Sequence, residues 1–433
     1  MTCRTIRTRK DDRGADMTLG PGFTRLWWSQ GLSNLGDGLV LAAVPLLAVE
    51  MTRDPLLVAG ITVAQFLPWL VFTLPAGALA DRIDRRLIMV WGNAIRGVGF
   101  GLLVLTLAAD LRNIVLLYLA VFLAGTAETL VDNAALTVPP RLVERADLER
   151  ANGRLFATQS AINNFVGPTA GAALFALSAI MVFSSTAGLF ALAALAAITL
   201  PRMLPTASDT SGGKHSAGDV VRSIRAGWSY FWDHRLLRRV AFISGSINLF
   251  SSATAGLLVL LATGPLGVSK SWYGVFIAVP AVGAVIGSLI AARVVPAIGG
   301  GPVTWLAALV PAASYVVLGL SGSIVLSEIV MFLAAVSTAL NQIVVSTLRQ
   351  AAVPDELLGR VTAAYRLIVL GAVPVGALVG GGLGRWLGPE DAFVVCGVGL
   401  ALAALVFASR VTTRALREAE RDVRPATAVE QIS

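Results

Sequence analysis

The chain has 433 residues, of which 56% are hydrophobic and 14% charged, and its mean hydropathy is +0.76. Soluble domains average roughly 45–50% apolar and about 25% charged residues, so this composition excludes an ordinary water-soluble fold and points to lipid. The net charge of +8 would suit nucleic acid, but its placement, traced below, excludes that partner.

Twelve apolar stretches, each near the roughly 20 residues that a bilayer requires, lie at about 24–50, 56–79, 87–108, 114–138, 153–178, 180–200, 240–263, 272–295, 302–322, 324–348, 361–384 and 391–410. They lack the alternation of a β-barrel. The N-terminal tail is polar and basic and carries no short apolar core with a cleavage site, so no removable signal peptide is expected.

Asp37 sits halfway along the first span between Gly36 and Gly38, one turn from Asn34. A charged side chain at the centre of a membrane helix costs at least ~2.5–3.5 kcal/mol. It therefore reads as a protonation site or a counter-ion for a cationic substrate; the alternative is a carboxylate satisfied by neighbouring helices. Glu50, at the far end of this span, reads as a solvated rim residue, as does Glu328 much later. Gln65, Asn248, Asn341 and Gln342 suit either a cavity wall or hydrogen bonds between helices.

Between the second and third spans stands a short charged turn, Gly77, Ala78, Leu79, Ala80, Asp81, Arg82, Ile83, Asp84, Arg85 and Arg86. Arg96 in the third span and Glu128 in the fourth lie at similar depth. An isolated buried charge would be severely penalised, so the two are expected to pair, as a structural lock or as a proton relay. Asp132 falls one turn nearer the basic turn. In the fifth span, Asn163 and Asn164 precede Gly167, Pro168 and Gly171, whose physical content is a kink with close helix packing.

Residues 201–239 interrupt the apolar pattern. Thr206 to Gly218 reads as a flexible connection and Asp219 to Arg239 as a helix with Trp228 and Phe231 on its apolar face. That helix suits the membrane surface or a place beneath the bundle. The spans after it echo those before: Gly167 and Gly171 match Gly376 and Gly380, Gly77 matches Gly287, and Asp147-Leu148 matches Glu356-Leu357, all at offsets of 209 or 210.

The charges follow the spans. Basic residues crowd the N-terminal tail, the turn with Arg82, Arg85 and Arg86, the loop with Arg141 to Arg154, the middle segment and the C-terminal tail. The opposite loops hold only Arg53, Arg112, Lys270 and Arg385. This is the positive-inside bias, and it places both termini in the cytoplasm of a cell-membrane protein.

The turn from Gly77 to Arg86 between two apolar spans resembles the loop between the second and third helices of major facilitator superfamily transporters. Within that superfamily the chain is similar to the drug and siderophore exporters typified by macrolide efflux pumps and enterobactin exporters. Gln30, Ser33 and Leu35-Gly36-Asp37, Glu128-Thr129 with Asp132-Asn133, and Pro140 to Val143 with Ala151-Asn152 carry this likeness. So do Arg349-Gln350, Pro354 and Gly359-Arg360-Val361. The resemblance implies an all-α membrane protein of two pseudo-symmetric six-helix bundles, 24–200 and 240–410. The cytoplasmic tails are then 1–23 and 411–433, and the linker with its amphipathic helix is 201–239. It also implies a cytoplasmic latch of Asp81, Arg85 and Asp132. One departure is Asp84, where the family turn usually has glycine, which puts a residue with a side chain where φ > 0 is expected.

Hydrolytic chemistry has no support. Gly212-Gly213-Lys214 is followed by His215 and is no phosphate loop. The two histidines, His215 and His234, both lie in the linker, so no metal cluster or catalytic triad is expected. Cys3 and Cys396 make no disulfide framework. The expected activity is proton-coupled export of a small amphipathic compound by a monomer, without cofactor. Import or lipid movement is the alternative within the class, and a non-transporting receptor or scaffold the alternative outside it.

Overall fold

The computed structural model describes residues 19–80, 83–144, 147–203, 228–353, 355–407 and 411–414. Among them there is no strand. The helices are α1 (Gly20–Met51), α2 (Pro55–Ala80), α3 (Arg85–Ala108), α4 (Ile114–Ala135), α5 (Pro139–Leu142), α6 (Leu148–Ala161), α7 (Gly167–Leu177) and α8 (Ala179–Ile198). After the linker come α9 (Arg235–Thr263), α10 (Lys270–Ile298), α11 (Gly300–Leu320), α12 (Ile324–Ala352), α13 (Asp355–Leu387) and α14 (Pro389–Phe407). Eleven of these helices are long and apolar enough to cross a membrane. The fifth expected span is present as a composite: α6, a π-helical turn at Ile162–Val166, and α7. Pro168 explains the break, because it has no N–H for the carbonyl one turn back and its ring crowds that carbonyl. The Gly167 N–H instead bonds to Ile162 O, five residues earlier.

The helices pack in a repeated pattern. α1 rests on α7 and α8, α3 on α8 and α4, and α2 on α4; after the linker, α9 rests on α13 and α14, α11 on α14 and α12, and α10 on α12. Each contact in the first set recurs between the corresponding helices of the second. The matched glycines make equivalent contacts: a Cβ placed on Gly171 would stand 2.9 Å from Leu39 Cα, and one on Gly380 2.5 Å from Ala253 Cα. Without water to drive helices together in lipid, such close backbone approach is what packs them. The outward faces remain apolar and exposed, as at Leu105, Leu119, Leu195 and Leu402.

At the end of the molecule that holds Leu19 and Arg414, three side chains gather the end of α8. Arg25 donates to Thr199 O at 2.9 Å, Arg86 to Leu200 O at 3.2 Å, and the Asp84 carboxylate accepts the Met203 N–H at 3.1 Å. Asp84 has φ −55 and caps α3 through the Arg86 N–H, so its expected left-handed turn is not formed. The substitution of glycine by Asp is accommodated as an N-cap.

Residues 204–227 of the expected linker lie outside the described residues. Trp228 to Asp233 is helical, and the chain enters α9 at Arg235, earlier than expected, with His234 Nδ1 accepting the Leu237 N–H at 3.3 Å. Phe231 is fully buried in a cluster with Leu237, Val240, Val345 and Leu348, and Tyr230 Oη donates to Ala352 O at 2.9 Å. This part packs under the bundle, the second of the two placements considered for it.

Candidate functional site

The polar cluster begins at α1. Gly36 and Gly38 flank Asp37 for separate reasons. A Cβ on Gly36 would stand 2.9 Å from the Phe190 ring, and one on Gly38 2.7 Å from Gly167 Cα. The first glycine admits Phe190 from α8; the second lets α1 touch the start of α7 and its π-helical turn. Asp37 is thereby held where α1, α3 and α8 converge.

Arg96 reaches it from α3. Its side chain is 1% exposed, and its guanidinium forms an ion pair with Asp37 and donates to Ser33 Oγ at 3.0 Å. The same group lies 4.0 Å from the centroid of Phe190. Ser33 in turn donates to Asn93 Oδ1 at 2.9 Å, and Asn93 Nδ2 donates to Met89 O at 2.9 Å. Phe190 is itself held by Phe100, with ring centroids 5.9 Å apart. The charge is thus compensated by a carboxylate, a hydroxyl and an aromatic face.

The expected Arg96–Glu128 pair is not formed; the ion pair of Arg96 goes to Asp37. Glu128 and, one turn along α4, Asp132 lie near enough to Arg96 for a charge on either to be felt there, without a direct ion pair. Asp37 and Glu128 face a cavity of about 40 Å³ with Gln65, Val40, Phe100 and Val121 among its walls. That is room enough to admit water beside the two carboxylates. Gly125 makes it possible for Gln65 to be there: a Cβ at this position would stand 2.9 Å from Gln65 O. Arg96 Nε is buried without a hydrogen-bond partner, so the guanidinium is not saturated where it stands.

The remaining expected residues fall in three places. Asn34 is buried on α1. Asn163 and Asn164 lie in the π-helical turn; Asn163 Oδ1 is buried without a hydrogen-bond partner, and Asn164 is exposed and donates to Ser160 O at 3.0 Å. Gly77 lies in the last turn of α2. Asp81 and Arg82 lie outside the described residues. Arg85 is buried and donates through Nε to Thr137 Oγ1 at 2.7 Å, tying α3 to the end of α4. Gly167, Pro168 and Gly171 are all buried in α7. Glu50 is exposed, as a solvated rim residue would be, and is paired with Lys270; Glu328 departs from the solvated reading, being half-buried with Oε2 buried and without a hydrogen-bond partner.

Asn93 and Phe190 were not singled out from the sequence. Asn93 had a signal, being one helical turn from Arg96 on the face that meets α1. Phe190 had none, since an apolar ring in an apolar span reads as lipid-facing or as core.

A family model described as Transmembrane secretion effector, of the MFS_3 family, matches residues 20–431. Curated relatives include the Enterobactin exporter EntS of Citrobacter koseri, 24% identical over 89% of this chain and 91% of that protein. Its counterpart from Shigella boydii serotype 4 is 25% identical over the same shares. Among solved structures, a mutant of the nucleoside transporter NupG superposes with a TM-score of 0.75 at 12% identity, covering 90% of this chain and 100% of that one. A bacterial homologue of the human lysosomal transporter Spinster, inward-facing and unoccupied, gives 0.71 at 15% identity over 94% and 99%. At these identities the structures speak to the fold alone.

Proposed function

Because the chain belongs to the transmembrane secretion effector family of the major facilitator superfamily, we propose that it exports a small amphipathic compound in exchange for inward-moving protons. The relatives named enterobactin exporters favour a siderophore-like metabolite among the candidate substrates, which also include drugs and antibiotics. The protein sits in the cell membrane with both termini in the cytoplasm, as the positive-inside bias requires, and works as a monomer of two six-helix bundles joined by the linker.

The observation that carries this reading is one buried guanidinium paired with Asp37, a carboxylate that shares a small cavity with a second one, Glu128. When Asp37 is ionised, Arg96 is neutralised where it lies. When a proton neutralises Asp37, the arginine is left with an uncompensated charge, and Glu128 becomes the better partner. A proton therefore moves a charge from the α1 side of the site to the α4 side. Because α1 and α4 belong to one packed set, this shift biases a two-state element. Arg85 and Arg86, with Gly77, Asp81, Arg82 and Asp132, form the cytoplasmic gate in this reading.

The test is efflux from cells loaded with a transported compound. Each pH unit supplies about 1.4 kcal/mol per proton and each 100 mV about 2.3 kcal/mol per charge. A protonophore that removes both should stop uphill efflux. Persistence of uphill efflux after collapse of both gradients would rule out the proton as the coupling ion.

A further inference from the structure

At the end of the molecule opposite Leu19 and Arg414, the two sets of helices meet through two ion pairs. Lys270, the first residue of α10, pairs with Glu50 near the end of α1. Arg385, near the end of α13, has its Nε 3.5 Å from Asp54 Oδ2 just before α2. Both acids flank the α1–α2 turn, and both bases come from the second set. Asp54 is a fixed partner, because its other oxygen accepts the Leu56 N–H at 3.0 Å and caps α2.

Each base also stands one helical turn from a glycine that meets the opposite set. Four residues after Lys270, a Cβ on Gly274 would stand 2.8 Å from Thr169 Cα of α7. Four residues before Arg385, a Cβ on Gly381 would stand 2.8 Å from the Ala59 methyl and 2.9 Å from Leu56 Cα of α2. Ala59 is fully buried, with Gly256 of α9 close by as well. The sets touch here through small side chains that can part without unthreading.

The placement of the bases is itself informative. Positive charge is scarce on this face, with Arg53, Arg112, Lys270 and Arg385 its only basic residues among the described ones, and two of the four cross to the opposite set. The side chains of Lys270 and Arg385 are 52% and 56% exposed. A cavity of about 310 Å³ opens beside Glu50 and Lys270, so water reaches that pair. Hydrated pairs of this kind separate readily, in contrast to the buried Asp37–Arg96 pair.

We propose that Glu50–Lys270 and Asp54–Arg385 form a two-part gate on the outer face, each pair latching a glycine contact one turn below it, and that both must break for substrate to leave on that side. The word outer rests on the orientation proposed above.

The test uses the full chain with Ala59→Cys as reporter and with Cys3→Ala and Cys396→Ala removing the native thiols. Labelling by a membrane-impermeant maleimide is followed in right-side-out and inside-out vesicles. Lys270→Glu and Arg385→Asp, made separately, should each raise labelling several-fold in right-side-out vesicles. The exchanges Glu50→Lys with Lys270→Glu, and Asp54→Arg with Arg385→Asp, should return it to the parent level. Labelling that stays flat in both single variants, or that rises and is not reversed by either exchange, overturns the gate. If the rise occurs only in inside-out vesicles, the gate stands and the orientation is reversed. Should one variant fail to reach the membrane, the other pair decides, since the two lie on different helices.

Discussion

The Asp84 carboxylate oxygen that accepts the Arg86 N–H at 3.0 Å also accepts the Met203 N–H at 3.1 Å, across 119 residues of chain. One side chain therefore starts α3 and holds the chain as it leaves α8. Loss of an N-cap costs about 0.5–2 kcal/mol, and here it also frees Met203. Asp84→Ala should lower thermal stability modestly and speed tryptic cleavage at the neighbouring Arg202 several-fold, with transport retained. An unchanged cleavage rate would mean that the Met203 contact does not restrain the linker.

Asp37→Asn keeps the shape of the side chain and removes its titration. Uphill export should fall at least tenfold, while downhill exchange survives if Asp37 carries the proton. If it serves instead as a counter-ion, affinity for cationic substrates should drop and that for neutral ones should not. Binding and proton-driven transport measured on the same variant separate these roles. Wild-type values in both would make the residue polar packing and move attention to Glu128.

Breaking a buried ion pair from one side costs about 3–5 kcal/mol, so Asp37→Ala should reduce the amount of folded protein by leaving Arg96 uncompensated. Combining it with Arg96→Gln should recover much of that abundance without recovering export. Failure of the double variant to accumulate better than Asp37→Ala would show that the pair is not the dominant electrostatic link at this position.

Gly38 and Gly167 are in mutual contact beside the site, and a Cβ on Gly38 would also stand 3.0 Å from Ile162 O. Overpacking of this kind costs roughly 1–3 kcal/mol. Gly38→Val should therefore lower the melting temperature and impair export together, whereas Gly31→Ala on the same helix, where a Cβ meets nothing within 4 Å, should do neither. Equal behaviour of the two variants would show that the Gly38–Gly167 contact constrains neither stability nor export.

The sequence by itself determined the membrane class, the order of the apolar spans, the excess of positive charge in alternate loops and the repetition at an offset near 210 residues. Each of these depends on composition along the chain: a run of about 20 apolar residues must cross lipid as helix because its backbone has no water to bond. The residues worth weighing at the site were legible for a related reason, since an ionisable group inside a span is rare and costly. Pairing was a different matter. Depth along a helix suggested Arg96 with Glu128, but partner choice depends on rotation about each helix axis, and that is set by contacts such as Gly36 on Phe190 and Gly38 on Gly167. Only the tertiary structure turned Arg96 toward Asp37 and Ser33 and left Glu128 sharing a cavity with Asp37. It alone joined Lys270 to Glu50 and Arg385 to Asp54, residues about 220 and 330 positions apart whose meeting no local periodicity encodes. It also converted the Pro168 kink into a π-helical turn, because a missing N–H can be met by shifting the ladder one residue as well as by bending it.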